Sequence, residues 1–203
     1  MHRKNINMSD TTIKIKGTDT GKVKIHQDER HGFTVILTIS VSGNKLKPII
    51  VSKGKTKRSL NKYELNNDVV GTFSNNGWAN CGIIKIAIDQ IYSYTKRNPA
   101  TLLLDSFPAH KDAFILTESK KMNIKLLFIP EGFTYKYQLL DVSINGIIKQ
   151  KSKNLWRKKV TQNPDIKITQ KDAVLFFMEC FDEIKNDVVI NSFNLSCFIN
   201  DKT

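Results

Sequence analysis

Thr101-Leu102-Leu103-Leu104-Asp105-Ser106-Phe107-Pro108-Ala109-His110 is the stretch from which the fold can be read. Its leading residues form a short apolar run bounded by turn signals, the pattern of a central strand in a sheet covered on both faces. Pro108 ends the extended segment, and Lys111-Asp112-Ala113-Phe114 restarts the chain as a helix. Asp105 therefore stands where the strand stops, which is where open α/β sheets hold their ligands. A carboxylate at that point is either a cap for the following turn or a metal ligand at the mouth of the sheet. This stretch alone does not choose between them.

Working outward, a helix over about 111–122 leads to Ile124-Lys125-Leu126-Leu127-Phe128-Ile129, a second strand. A strand–helix–strand unit makes 101–105 and 124–129 parallel neighbours. Upstream, Ile83, Ile84, Ala87, Ile88 and Ile91 recur at three- and four-residue spacing, one buried face of a helix from about Ala79 to Lys96. The densest β-branched run is Phe33–Val41. Ser42-Gly43-Asn44 turns it into Leu46–Val51, so 33–51 reads as a hairpin, and Pro48 argues that its second arm has an unpaired side. A short first strand falls at about 5–15, a turn at Gly17–Gly21 and a weaker strand at Val69–Phe73. Lys53, Lys55, Lys57, Arg58 and Lys62 crowd a loop or short helix between them. After the loop that begins at Pro130, Leu140, Ile144, Ile148 and Leu155 share an arc of a helix over 140–159. Lys149, Lys153 and Arg157 step along its opposite side, either as a solvated face or as a phosphate track. Val174, Phe177, Phe181 and Ile184 stripe a last helix capped by Thr169, and Phe193 and Leu195 dock the tail. The expected architecture is α/β: a mixed central sheet with helices on both faces in residues 1–160, and a small helical extension in 161–203.

The chain has 203 residues with 40% hydrophobic and 25% charged content, enough for one α/β domain with a proper core. Lysine and arginine outnumber acids 32 to 19, a formal net charge of +13. That balance favours a polyanionic partner, nucleic acid before membrane, over a merely basic soluble protein. Cys81, Cys180 and Cys197 lie far apart without metal-ligand spacing and read as reduced thiols packed like small hydrophobes. No apolar run has the length of a membrane span, so no membrane partner is expected, and the compartment expected is the cytosol or nucleus. Trp156, beside Arg157, Lys158 and Lys159, reads as a core-facing residue before a base-stacking one. His110 either contacts a phosphate or orders the loop after Asp105, or else caps a turn at the surface.

Asp141 opens the 140–159 helix just past the loop that follows the second parallel strand. Neighbouring strands lie about 4.8 Å apart, so the elements leaving them can bring Asp105 and Asp141 together. Two carboxylates roughly 4 Å apart repel by about 4 kcal/mol at an effective dielectric near 20. A hard divalent cation converts that repulsion into coordination. The plainer reading of Asp141 is an acid answering a helix dipole.

Leu102–His110, Ile129-Pro130-Glu131-Gly132-Phe133-Thr134 and Gln138-Leu139-Leu140-Asp141-Val142-Ser143-Ile144-Asn145 together resemble the DDE domain of pogo/Tigger-like transposases, including the jerky- and centromere protein B-type proteins. The Phe33–Val51 hairpin, Asn76-Gly77-Trp78 and Val188–Phe193 extend the resemblance over almost the whole chain. It implies an RNase H-like fold, DNA as partner, a nuclear location, room for a homodimer, and three acids holding Mg²⁺ or Mn²⁺ for two-metal phosphodiester chemistry. Asp105 and Asp141, 36 positions apart, would be the second and third acids. The first departs from the family pattern: where the family has Asn-Met-Asp-Glu-Thr, this chain has Asn7-Met8-Ser9-Asp10-Thr11. Asp10 can serve only if the strand re-aims it, because a shift of one residue changes the face. Leu139 also replaces a proline usual in the family. The expected function is a DDE endonuclease domain, with Asp10, Asp105 and Asp141 as its metal-binding acids and its activity weakened at the first of them. The alternative is a catalytically inactive remnant that binds nucleic acid or protein.

Overall fold

The computed structural model describes residues 4–13, 33–130 and 140–195, with the backbone alone at 4–13, 141–142 and 194–195. The Gly17–Gly21 turn, the Glu131–Leu139 loop and Cys197 lie outside the described residues. Among the described residues, six strands form one sheet: β1 (Lys4–Ile13), β2 (Phe33–Ser40), β3 (Ile49–Lys53), β4 (Val70–Ser74), β5 (Ala100–Leu104) and β6 (Ile124–Phe128). Their spatial order is β4-β3-β2-β1-β5-β6. β2 is antiparallel to β1 and β3, whereas β3–β4, β1–β5 and β5–β6 are parallel. Every strand except β2 therefore delivers its C-terminal end to the same margin of the sheet. The parallel pairing of β5 with β6 is as the sequence predicts.

Strand β2 is buried along its whole length, and its residues alternate between two cores. Phe33, Val35, Leu37 and Ile39 face a layer that includes Leu103, Leu140, Ile144, Ile148 and Phe177. Ile36 belongs to the other layer, with Leu102, Leu104 and the helix residues Ile83, Ile84, Ile88 and Ile91. Helices α1 (Cys81–Tyr94) and α2 (Ala113–Lys121) cover that second face. The first face is covered by α3 (Asn145–Gln162), α4 (Gln170–Asp182) and α5 (Asn186–Leu195). The helical periodicity of α1 and α4 thus predicts the buried sides correctly. Phe193 is buried, as the docking of the tail expects; what is corrected is the form of that segment, since Asn186–Leu195 is a helix, with Val189 also buried.

The inference from Pro48 is also corrected. β3 begins at Ile49 and pairs on both sides, with β2 and β4. Proline lacks only the donor; its carbonyl still accepts the Val70 N–H at 2.9 Å, so a proline placed just before a strand does not mark an edge. β4 is the margin at that end, covered by the 3-10 helix Lys57–Tyr63. A Cβ at Gly71 would lie 2.6 Å from Leu65 Cδ1, which is why glycine sits where that cover closes on the strand. Helix α4 starts with a capping box: the Thr169 hydroxyl accepts the Asp172 N–H, and the Asp172 carboxylate accepts the Thr169 N–H. Burial pushes the Asp172 carboxyl up, but hydrogen bonds from Lys159 and Thr169 outweigh it and hold it below the usual carboxylate range.

Candidate active site

Strand β5 ends at Leu104, and the next turn is built around the carboxylate that follows it. Asp105 Oδ1 accepts the Phe107 N–H at 3.1 Å, so the aspartate does cap its own turn. Ser106 Oγ donates to the Ile129 carbonyl at 2.7 Å, and the Ile129 N–H donates to Leu104 O at 2.7 Å. These two bonds tie the end of β5 to the end of β6. Pro108 then starts a single 3-10 turn, Pro108–His110, that folds the chain back on Asp105. His110 is wholly buried, with Nδ1 2.7 Å from Asp105 Oδ1 and 3.3 Å from the Asp105 carbonyl oxygen. Both neighbours are acceptors, so Nδ1 carries the proton and donates. The Phe107 ring meets the imidazole edge-on, with centroids 5.6 Å apart.

The open question about His110 is thereby answered, and the surface-cap reading of it is corrected. His110 is a buried group that orients Asp105. The signal was in the sequence, as a histidine five residues past the aspartate across Pro108, but spacing alone cannot report burial. The Asp105 side chain keeps 22% exposure. Two donors fix its Oδ1, and the side chain as a whole still meets solvent.

Asp141 lies in a π-helical turn, Leu140–Ile144, that runs directly into α3. The sequence reading of a uniform helix over 140–159 misses this turn. Leu140 and Ile144 are fully buried in the same layer as Leu103, and the turn also touches β1 and α5. π turns are rare and gather at functional sites. The Asp141 side chain is outside what the structure describes, but its backbone is held on the face of the sheet that carries Leu103, two residues before Asp105.

Asp10 and Ser9 lie on β1, whose backbone register is described. Position 9 pairs with Leu37 and position 10 with Ile36. Leu37 belongs to the layer with Leu103 and Leu140, Ile36 to the layer beneath α1. β1 also runs parallel to β5, with Asn7 opposite Leu103. The register therefore aligns position 9, rather than 10, with the face on which the Asp141 turn packs. Asp19 and Asp28, poorer substitutes for the first acid because they sit in or beyond the Gly17–Gly21 turn, lie outside the described residues.

Lys149, Lys153 and Arg157 are all exposed along α3, stepping by four residues on the flank beside its buried Asn145, Ile148 and Ser152. Their neighbours Lys151 and Lys159 pair with Glu183 and Asp172. Among the described residues, the three stripe residues make no ion pair of this kind. Trp156 is half-buried. The exposed tryptophan is Trp78, at 57%, a residue that the sequence singled out only as part of Asn76-Gly77-Trp78. No group of three or more potential metal ligands occurs among the described residues, whose side chains exclude those of Asp10 and Asp141.

Comparison with known proteins bears on the same residues. The family model described as DDE superfamily endonuclease matches residues 30–193. The Mos1 strand transfer complex superposes with a TM-score of 0.58 at 10% identity, covering 94% of this chain and 50% of that one. The Mos1 transposase catalytic domain bound to raltegravir with Mn gives a TM-score of 0.56 at 9% identity, covering 94% and 76%. The Mos1 mariner paired end complex with Mn also gives 0.56 at 9% identity, covering 94% and 51%. The chain thus spans about half of the full Mos1 chains and three quarters of the isolated catalytic domain. No curated protein sequence matches significantly. At these identities the structural likeness establishes the fold, which is RNase H-like.

Proposed function

The chain belongs to the DDE superfamily endonucleases, and from that premise we propose that it binds DNA and cuts phosphodiester bonds with carboxylates at the C-terminal margin of its sheet. The observation that carries this reading is the hold on Asp105: a carboxylate at a central strand end, oriented by a buried imidazole and a backbone N–H. The motifs around Asp105 and Asp141 support a pogo/Tigger-like membership within the superfamily.

The donor set suits a hard divalent cation. Asp105 offers a carboxylate whose orientation is fixed by donors to Oδ1, and orienting partners of that kind are what metal-binding carboxylates usually have. Asp105 and Asp141 would hold Mg²⁺ or Mn²⁺, with position 9 or 10 as the third contributor. When bound, such ions supply activation of the attacking oxygen and stabilisation of the leaving one. The chain does the rest. His110 and the Phe107 N–H together hold Asp105 Oδ1 in one orientation, and the buried Leu140 and Ile144 anchor the turn that carries Asp141. Lys149, Lys153 and Arg157 offer exposed charge along α3, the helix that continues from the Asp141 turn, and can set DNA in register without reading its sequence.

Ser9 favours a second reading, an inactive module that keeps the DNA surface. A serine hydroxyl is a neutral and weak metal ligand, and the backbone pairing of position 9 with Leu37 supports reading position 9 as the one where an acid is wanted. Incubating supercoiled plasmid with the chain separates the two. Nicking in Mg²⁺ or Mn²⁺ that stops in EDTA supports cleavage. Salt-sensitive binding without nicks in either metal overturns cleavage in favour of the inactive module.

His110 gives a further expected result. His110→Leu should weaken Mn²⁺ binding roughly 10- to 100-fold, the usual cost of losing a partner that orients a ligand. His110→Asn can put an amide N–H near the place of Nδ1 and should restore most of the affinity. Titrating Mn²⁺ by electron paramagnetic resonance measures both without any turnover. Equal affinities in all three proteins would show that the imidazole is packing only.

A further inference from the structure

Asp105 shares its margin of the sheet with two other features, because β3, β4 and β5 end on the same side. β3 ends on Lys53 and runs into Gly54-Lys55-Thr56-Lys57-Arg58, and all four basic residues from Lys53 to Arg58 are exposed. None of the four makes an ion pair among the described residues. After β4 comes the turn Asn75-Asn76-Gly77-Trp78. Lys53 is the register partner of Ser74, and the Gly54 N–H donates to Ser74 O at 2.9 Å, so the two loops leave the sheet side by side.

Trp78 is held in an unusual way. Its N–H donates to Asn76 Oδ1 at 3.0 Å, and its carbonyl accepts from Ser74 Oγ at 2.7 Å. Gly77 takes φ +78 and packs on Lys53: a Cβ there would lie 3.1 Å from Lys53 Cβ. One residue past Ala79, Asn80 caps α1 by accepting the Ile83 N–H. The backbone at Trp78 is therefore fixed on both sides, yet its indole is 57% exposed, more than any other large apolar side chain among the described residues. A rigid chain that holds a large flat ring out in water, beside four exposed cations, is the make-up of a single-strand stacking platform.

We propose that Trp78 stacks an unpaired base of bound DNA, with Lys53, Lys55, Lys57 and Arg58 holding the adjoining phosphates. This rests on the reading that the chain holds DNA at Asp105. An indole cannot reach the face of a base inside a duplex, because its neighbours in the stack cover it; only an unpaired or extruded base offers that face. Strand spacing puts the ends of β3 and β4 about 14 and 19 Å from the end of β5. That span is about four to six base-pair steps at 3.4 Å each. The platform would therefore engage the same DNA molecule as Asp105, a few nucleotides away, and prefer DNA with an unpaired end over blunt duplex.

The test uses the whole chain without divalent metal, so that binding is read apart from cutting. The probes are a blunt duplex and the same duplex with a single-stranded end containing 2-aminopurine. Expected are quenching of the 2-aminopurine on binding and about tenfold tighter binding of the overhang. Trp78→Ala should remove both while leaving blunt-duplex affinity within about twofold, and Trp78→Phe should keep most of the preference. Changing Lys55, Lys57 and Arg58 together to Gln should weaken both probes and flatten the salt dependence by roughly two to three logarithmic units per decade of salt. If the duplex binds but the 2-aminopurine stays bright, the stacking site is overturned and the DNA reading stands. If neither probe binds at low salt, the DNA reading itself falls, and the stacking site with it. If Trp78→Ala keeps the preference but dissolves a dimer seen in sedimentation, the indole belongs to a contact between copies and the proposal fails.

Discussion

Asp105→Asn is expected to remove metal-dependent nicking and to weaken Mn²⁺ binding by more than about 100-fold, beyond what losing an orienting partner costs. Asparagine can still accept the Phe107 N–H and lie beside His110, so the turn should survive while the charge that a cation needs is gone. The informative companion is Ser9→Asp. The backbone register pairs position 9 with Leu37, in the layer of Leu103 and Leu140, so a carboxylate placed there should raise both Mn²⁺ affinity and nicking. Asp10→Asn should change neither by more than about twofold if position 9 is the productive one. Plasmid nicking and Mn²⁺ titration on the four proteins read this out. Loss of activity in Asp10→Asn with no gain in Ser9→Asp would assign the first acid to Asp10 and reject the register argument.

Phe177→Ala is expected to cost about 3–5 kcal/mol, the range for removing a buried aromatic ring from a core. Phe177 has no exposure; its ring stacks on Phe181 at 5.7 Å and meets Phe33 edge-on at 6.3 Å. It thus joins α4 to the first residue of the central antiparallel strand. Against a total of about 5–15 kcal/mol for a domain, that loss consumes a large share of the stability. Urea denaturation followed by circular dichroism should show the midpoint falling sharply. A cost below about 1.5 kcal/mol would mean that the site relaxes and that α4 is not what closes this face. The same layer contains Leu140 and Ile144, so loosening it should also lower Mn²⁺ affinity.

The sheet was legible because its strands are short apolar runs whose period differs from that of the helices around them. Leu102–Leu104 and Ile83–Ile91 announce opposite geometries without ambiguity. Thr169 announced its cap because the residue types that make a capping box are few. What stayed hidden was set by tertiary context. Pro48 looks like an edge marker, yet its carbonyl alone satisfies the neighbour it needs. The π turn at Leu140–Ile144 has nearly the apolar spacing of an α-helix, so periodicity does not separate them. His110 and Trp78 could not be placed from spacing: the polar ring is buried against Asp105, which accepts its N–H, and the indole, for which the sequence offered no burial, is exposed. Burial of single residues depends on which loops meet, and sequence spacing carries no record of that.

The two outer margins of the sheet differ in how the molecule should behave in solution. β4 is shielded by Leu60 and Leu65, whereas β6 pairs only with β5 among the described residues and carries Leu127 at 40% exposure. An open strand margin with apolar side chains invites a second strand. At low ionic strength the +13 net charge keeps copies apart, and salt above about 0.1 M shortens the reach of that repulsion to roughly 10 Å or less. Self-association through β6 should therefore grow with added salt, whereas affinity for DNA falls with it. Light scattering and DNA binding followed across one salt series should move in opposite directions. A protein kept clear at high concentration by low salt would then also be the protein most tightly loaded with nucleic acid.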